Sequence, residues 1–187
     1  VALKGTFSKA ETTSLDFTAR LYFYSGSSNV EITLSVQNRQ LDSMAHFVGI
    51  DRLAVELPFK TAGKALVSLA MDGGTVTQPL ADSGVRLAQT QWDTCRLNGD
   101  VAGEKYDGWV RLASDVGTLT AGTRWSWQVN PVGVAVQSDG IVSLDLKSAE
   151  GELVELYTAG AKTRFLFLHF ARGQAPEPQA IAAGIRQ

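Results

Sequence analysis

The chain has 187 residues, 44% of them hydrophobic, enough for one substantial domain with an apolar interior and too few for two. Its 17 basic and 19 acidic residues nearly cancel and neither sign forms a run, so nucleic acid is not expected as a partner. No stretch approaches the roughly 20 apolar residues of a membrane-spanning helix, so no membrane partner is expected either, and the single cysteine, Cys95, excludes an intrachain disulfide and reads as a buried thiol.

Alternation of apolar and polar residues runs through the chain. In "LDFTARLYF", Leu15, Phe17, Ala19, Leu21 and Phe23 share one face, and Asp16, Thr18, Arg20 and Tyr22 the other. "NVEITLSVQN" repeats the pattern through Val30, Ile32, Leu34 and Val36. With the turn cluster "SGSSN" between them, residues 15 to 37 predict a long β-hairpin. "VGIDRLAVELPF" alternates with a slip in phase that predicts a bulge, and "KALVSLAMDGG", "GVRLAQTQW", "GWVRLAS" and "DVGTLTAG" read as further strands. "VAVQSDGIVSLDL" predicts a hairpin turning at Ser138-Asp139-Gly140. "LVELYTAG" follows, and then "TRFLFLHFA", apolar on both faces, belongs in the middle of a sheet. Many short strands with glycine turns and no helical periodicity predict an all-β fold, an antiparallel β-sandwich, over residues 1–172. Residues 173–187, "GQAPEPQAIAAGIRQ", form a short alanine- and proline-rich extension expected to be a linker or the start of a helical domain. With Val1 at the other end, the composition suggests a piece of a larger protein with flanking domains.

The familiar catalytic patterns are missing. There is no glycine-rich phosphate loop, no serine in a nucleophile elbow, and too little histidine for a histidine-based zinc site, so no metal or cofactor is expected. Of the two histidines, His169 lies in an apolar strand and reads as a core-edge imidazole; His46 lies in loop-like sequence and is the better general-base candidate. Asp93, Asp100, Glu104 and Asp107 gather in loop-like sequence. Solvated charges are the ordinary reading of such a group, although paired carboxylates suit glycoside hydrolysis and the same hard oxygens are compatible with a calcium ion.

Residues 123–129, "TRWSWQV", predict a strand with Trp125, Trp127 and Val129 on one face and Arg124, Ser126 and Gln128 on the other. Tryptophans so placed are most often core residues; exposed, their flat faces would stack on sugar rings. On the opposite face, the Arg124 guanidinium suits a carboxylate such as a uronate, with Gln128 beside it.

"FTARLYFYSGSSNVEITLSVQN", "GWVRL", "RWSWQVNP" and "YTAGAKTRFLFLHF" together resemble, in order, the central β-sandwich region of the exo-rhamnogalacturonan lyase family and its bacterial relatives. The matching positions are Tyr24 and Gly26, Gly108 and Trp109, Trp127, Gln128 and Pro131, then Gly160 and Thr163. The resemblance implies a secreted or periplasmic protein with a barrel-like domain before the sandwich and an α/α toroid after it. Such a protein cleaves an acidic polysaccharide, rhamnogalacturonan, by β-elimination. It further implies Arg124 as neutraliser of the uronate, supported by Gln128, Tyr106 or His46, with Trp125 and Trp127 against the sugar. Without the toroid, this segment alone would be inactive. The alternative is a non-catalytic glycan-binding or protein-assembly module.

Overall fold

The computed structural model describes residues 1–9, 13–39, 47–173, 175–178, 180 and 181; His46 lies outside them. Every pairing between strands is antiparallel, and two sheets carry the core. The larger holds eight strands, in spatial order β1 (Ala2–Lys9), β2 (Thr13–Phe23), β3 (Asn29–Asn38), β16 (Ala161–Ala171), β12 (Gly117–Thr123), β11 (Tyr106–Ser114), β6 (Leu66–Met71) and β7 (Gly74–Pro79). The smaller holds six: β10 (Asp100–Gly103), β9 (Thr94–Leu97), β8 (Val85–Gln91), β13 (Val132–Val136), β14 (Ile141–Lys147) and β5 (Leu53–Pro58). A separate ribbon pairs β4 (Phe47–Ile50) with β15 (Val154–Tyr157). The chain is the all-β sandwich that its alternation predicts.

The expected first hairpin forms, with Phe17 opposite Val36 and Leu21 opposite Ile32. Along β3, Val30, Ile32, Leu34 and Val36 are buried while their neighbours are half-buried, because period-2 geometry sends one set inward. β11 and β12 face β8, β13 and β14 across the interior. There Val110, Leu112, Leu119, Leu87, Val134 and Leu144 close to 0 or 1% exposure. Each such side chain contributes on the order of 1.5–3 kcal/mol by leaving water. β16 lies in the middle of its sheet, between β3 and β12, with Leu166 and Leu168 turned into this core. Its other face needs cover too, and Phe167 finds it with Trp109, Ala70 and Ile181. The described part of the C-terminal extension thus folds back onto the outer face of the larger sheet, where Ile181 N donates to Glu177 O.

Two expectations need correction. The phase slip near Asp51 is a change of sheet: β4 pairs with β15 and β5 with β14, so the chain crosses between partners at Asp51 and Arg52, and the register irregularity beside it lies in the partner strand, between Asp145 and Lys147 of β14. The strand expected over 123–129 ends at Thr123. Trp125 has φ of +56°, a left-handed conformation that cannot continue a ladder. The backbone amides of Gln128 and Val129 both donate to Trp125 O, which closes residues 124–129 into a turn.

Candidate functional site: a tryptophan-walled cleft

The turn after β12 is held from two sides. Arg124 N donates to Phe165 O at 2.9 Å, tying its start to β16. The buried Ser126 hydroxyl donates to Tyr106 O at 2.5 Å, tying its middle to β11. Gly108 makes this approach feasible: its φ is +92°, and a Cβ there would sit 2.7 Å from Thr123 O and 2.9 Å from Ser126 Oγ.

Held in this way, the turn cannot bury both tryptophans. Trp125 is 55% exposed and stands edge-on to Phe165, ring centroids 5.6 Å apart. Trp127 is half-buried, with Lys105 Nζ 4.8 Å from its ring centroid, within cation–π range. The expectation of a core pair therefore fails; the fully buried tryptophan is Trp109, at 1% exposure, under the C-terminal extension on the outer face of the larger sheet. Nor do the two expected faces separate. Arg124, Trp125, Ser126, Trp127 and Gln128 line one cleft of about 270 Å³, with Asp107.

Asp107 comes from the neighbouring element. The β6–β7 turn braces the start of β11 and the link before it: Gly73 N donates to Asp107 Oδ2 at 2.9 Å, and Lys105 N donates to Asp72 Oδ1 at 2.7 Å. This brace fixes a carboxylate and an ammonium beside the tryptophans. Asp107 belonged, in sequence, to an acidic group with no partner in view, and Lys105 carried no signal at all. The remaining acids of that group scatter, with Asp93 in the β8–β9 turn accepting from Thr94 Oγ1 and Asp100 opening β10. Among the described residues, no three histidine, cysteine or acidic side chains converge to hold a metal ion.

The other sequence candidates lie apart. Tyr106 is 1% exposed, and burial pushes its phenol well above the ordinary range, so its side chain is a core group. His169 sits on the outer face of β16, its Nδ1 2.7 Å from Asn29 Oδ1, beside an open cleft of about 800 Å³ that Phe59, Phe170 and Pro176 also line. Burial and the nearby Arg111 charge lower its pKa, so the imidazole is neutral at pH 7. Cys95 is fully buried, and its thiol is pushed up to about 12 by burial first and by Asp72 and Asp107 next.

Chemically, the tryptophan cleft offers two aromatic faces, a carboxylate to accept hydrogen bonds, and a guanidinium and an amide to donate them.

No protein-family model matches the sequence, and no curated protein matches it. Solved structures do. A candidate aldose 1-epimerase from Escherichia coli K12 superposes with a TM-score of 0.56 at 11% identity, over 91% of this chain and 65% of that one. A protein from Synechocystis sp. PCC 6803 gives 0.56 at 8% identity, over 91% and 61%. A candidate aldose 1-epimerase from Klebsiella pneumoniae gives 0.52 at 9%, over 96% and 51%. The chain spans about half to two thirds of the length of these structures. At such identities the likeness is one of fold, and it overturns the resemblance to the rhamnogalacturonan lyase sandwich. The quoted stretches are strand and turn segments, and the one with most functional content, "RWSWQVNP", is a turn here and not a strand. The fold is similar to that of aldose 1-epimerase-like proteins.

Proposed function

We propose that this chain is a carbohydrate-binding β-sandwich that receives a sugar residue in the cleft between Trp125 and Trp127. The observation that carries the reading is one cleft lined by the exposed Trp125 and the half-buried Trp127 together with Asp107, Arg124 and Gln128. A sugar ring presents apolar C–H faces for the indoles and hydroxyls for the polar groups, and few other small molecules need both at once. The names of two structural neighbours, sugar epimerases by description, support the same ligand class. Arg124 favours an acidic sugar, because a guanidinium meets a carboxylate with two parallel hydrogen bonds.

The test is calorimetric titration of the chain with galactose, glucose and galacturonate. Saturable binding is expected for at least one, strongest for the uronate. Trp125→Ala and Trp127→Ala should each weaken it at least tenfold, about 1.4 kcal/mol. Unchanged affinity in both variants, with the fold intact by circular dichroism, would sink the proposal.

The epimerase descriptions of those neighbours suggest a second reading, sugar mutarotation, and one observation favours it: the imidazole of His169 lines an open cleft. Interconverting the two anomers requires a group that takes the anomeric hydroxyl proton and one that protonates the ring oxygen. Polarimetry of freshly dissolved glucose and galactose on the same preparation decides this reading. Acceleration that disappears in His169→Asn supports it, and equilibration at the uncatalysed rate excludes it.

A further inference from the structure

Nothing in the fold asks for a tryptophan at position 92. β8 ends at Gln91 and β9 starts at Thr94, so Trp92 and Asp93 form a two-residue hairpin turn. Such turns favour glycine, asparagine and aspartate for their backbone angles, and an indole brings them no advantage. Trp92 is also the most exposed of the four tryptophans, at 68%, and so adds little to the core. It lines a cleft of about 530 Å³ together with Arg96 of β9, Asn130 and Pro131, and the segment from Glu150 to Val154. We propose that this cleft is a second sugar subsite, and that the ligand of the sandwich is an oligosaccharide held across both clefts. The inference rests on the sugar-binding reading of the first cleft.

Composition is the first argument. The cleft at Trp125 and Trp127 combines indole, carboxylate, guanidinium and amide, the last three from Asp107, Arg124 and Gln128. The second cleft repeats the set with Trp92, Glu152, Arg96 and Asn130, and Leu153, 55% exposed, adds another apolar surface. A hydroxylated ring with apolar C–H faces uses all of these groups at once. None of the ion pairs among the described residues includes Arg96 or Glu152. Arg96 donates from Nη1 to Gly99 O at 2.9 Å, which leaves the rest of its fork for a ligand.

Placement is the second. Gln128 lines the first cleft and Asn130 the second, and two residues of chain span at most about 7 Å. Asn130 Nδ2 donates to Trp127 O at 3.1 Å, which ties a wall of one cleft to a wall of the other. Gln89 Nε2 donates to Gln91 O and to Glu104 O, both at 2.7 Å, so the hairpin that carries Trp92 is joined to the segment that leads into Lys105 and Asp107. The far wall is seated as firmly. Ser148 N donates to Pro131 O at 3.0 Å, and Arg86 Nε donates to Glu150 Oε1 at 2.5 Å. Gly151 lies so close to Pro131 that a Cβ there would sit 2.1 Å from Pro131 Cβ. A wall already in place spares a ligand the cost of ordering it.

Calorimetric titration of the full chain with glucose, galactose and galacturonate, and with the linear dimers, trimers and tetramers of each, tests the proposal. In at least one series affinity should rise tenfold or more from the single sugar to an oligomer, because the second contact is then made within one complex. Trp92→Ala should erase that gain, and Arg96→Gln should reduce it severalfold. Trp125→Ala should weaken the single sugar and the oligomer alike. A parent that binds a single sugar with no gain for any oligomer, or a gain that neither Trp92→Ala nor Arg96→Gln reduces, would overturn the second subsite and leave the first standing. A parent that binds no sugar of any length would remove the sugar reading itself, and this inference with it.

Discussion

Asp145 lies on β14 at 0% exposure, and its carboxylate accepts from Arg52 Nε at 3.1 Å and Nη2 at 2.9 Å, from Arg86 Nη2 at 3.0 Å and from Ser143 Oγ at 3.0 Å. The hydrogen bond to Asp145 is the largest of the influences that raise the Arg52 pKa. Donors from two arginines and a serine replace the water that burial takes from this carboxylate. Asp145→Ala should therefore destabilise the fold by about 3 kcal/mol, the lower end for a broken buried pair, because both arginines still reach solvent. Urea unfolding of the variant measures it, and a loss below about 1 kcal/mol would mean that the arginines hold each other apart without help. None of this network was legible in the sequence: Asp145 sits in "VSLDLK", where alternation assigns it an ordinary exposed place. Nothing local announces that residues 52 and 86 converge on it. Cys95 shows the converse, since a lone free thiol predicts burial from residue chemistry alone, and burial is what is observed.

Elements whose period is enforced by one buried face were readable, and elements set by a single backbone angle were not. The β2–β3 and β13–β14 hairpins announce themselves through alternation and a turn signal, with Gly140 in the left-handed conformation at the second turn. "TRWSWQV" has the same alternation, yet the ladder stops where Thr123 pairs with Leu166 and Trp125 turns left-handed. No pattern of residue types encodes that angle, and with it went the placement of the candidate site. The turn is tied to its surroundings through Gly108, and this dependence is testable. Gly108→Ala would place a methyl against Thr123 O and Ser126 Oγ at a φ of +92°. It should cost more than about 1 kcal/mol in stability and weaken sugar binding along with it, by shifting the turn that carries both tryptophans. Denaturant titration and near-ultraviolet circular dichroism report the two effects; a variant with parental stability and tryptophan signal would show that the turn yields without cost.

Across the whole molecule, the extension beyond β16 closes what the sandwich leaves open. Ile181, 7% exposed, caps the outer-face cluster of Ala70, Trp109 and Phe167, and Arg111 Nη2 donates to Pro176 O just ahead of it. Ile181→Ala should cost about 2 kcal/mol, the low end for a buried aliphatic, and should red-shift the emission of Trp109 as water reaches it. An unchanged spectrum and stability would make the extension a passive appendage. The order of strands carries one more consequence. β3 pairs along its length with β16, and the side-chain bonds that lace them join residues 128 and 140 positions apart. On a ribosome, the first hairpin emerges early and waits with its inner face bare and one edge unpaired until nearly the last residue of the sheet has been made. Such an intermediate is adhesive, so the yield of folded protein in a cell is governed by how long synthesis keeps β3 waiting, and rare codons between β3 and β16 should lower it more than the same codons placed after β16.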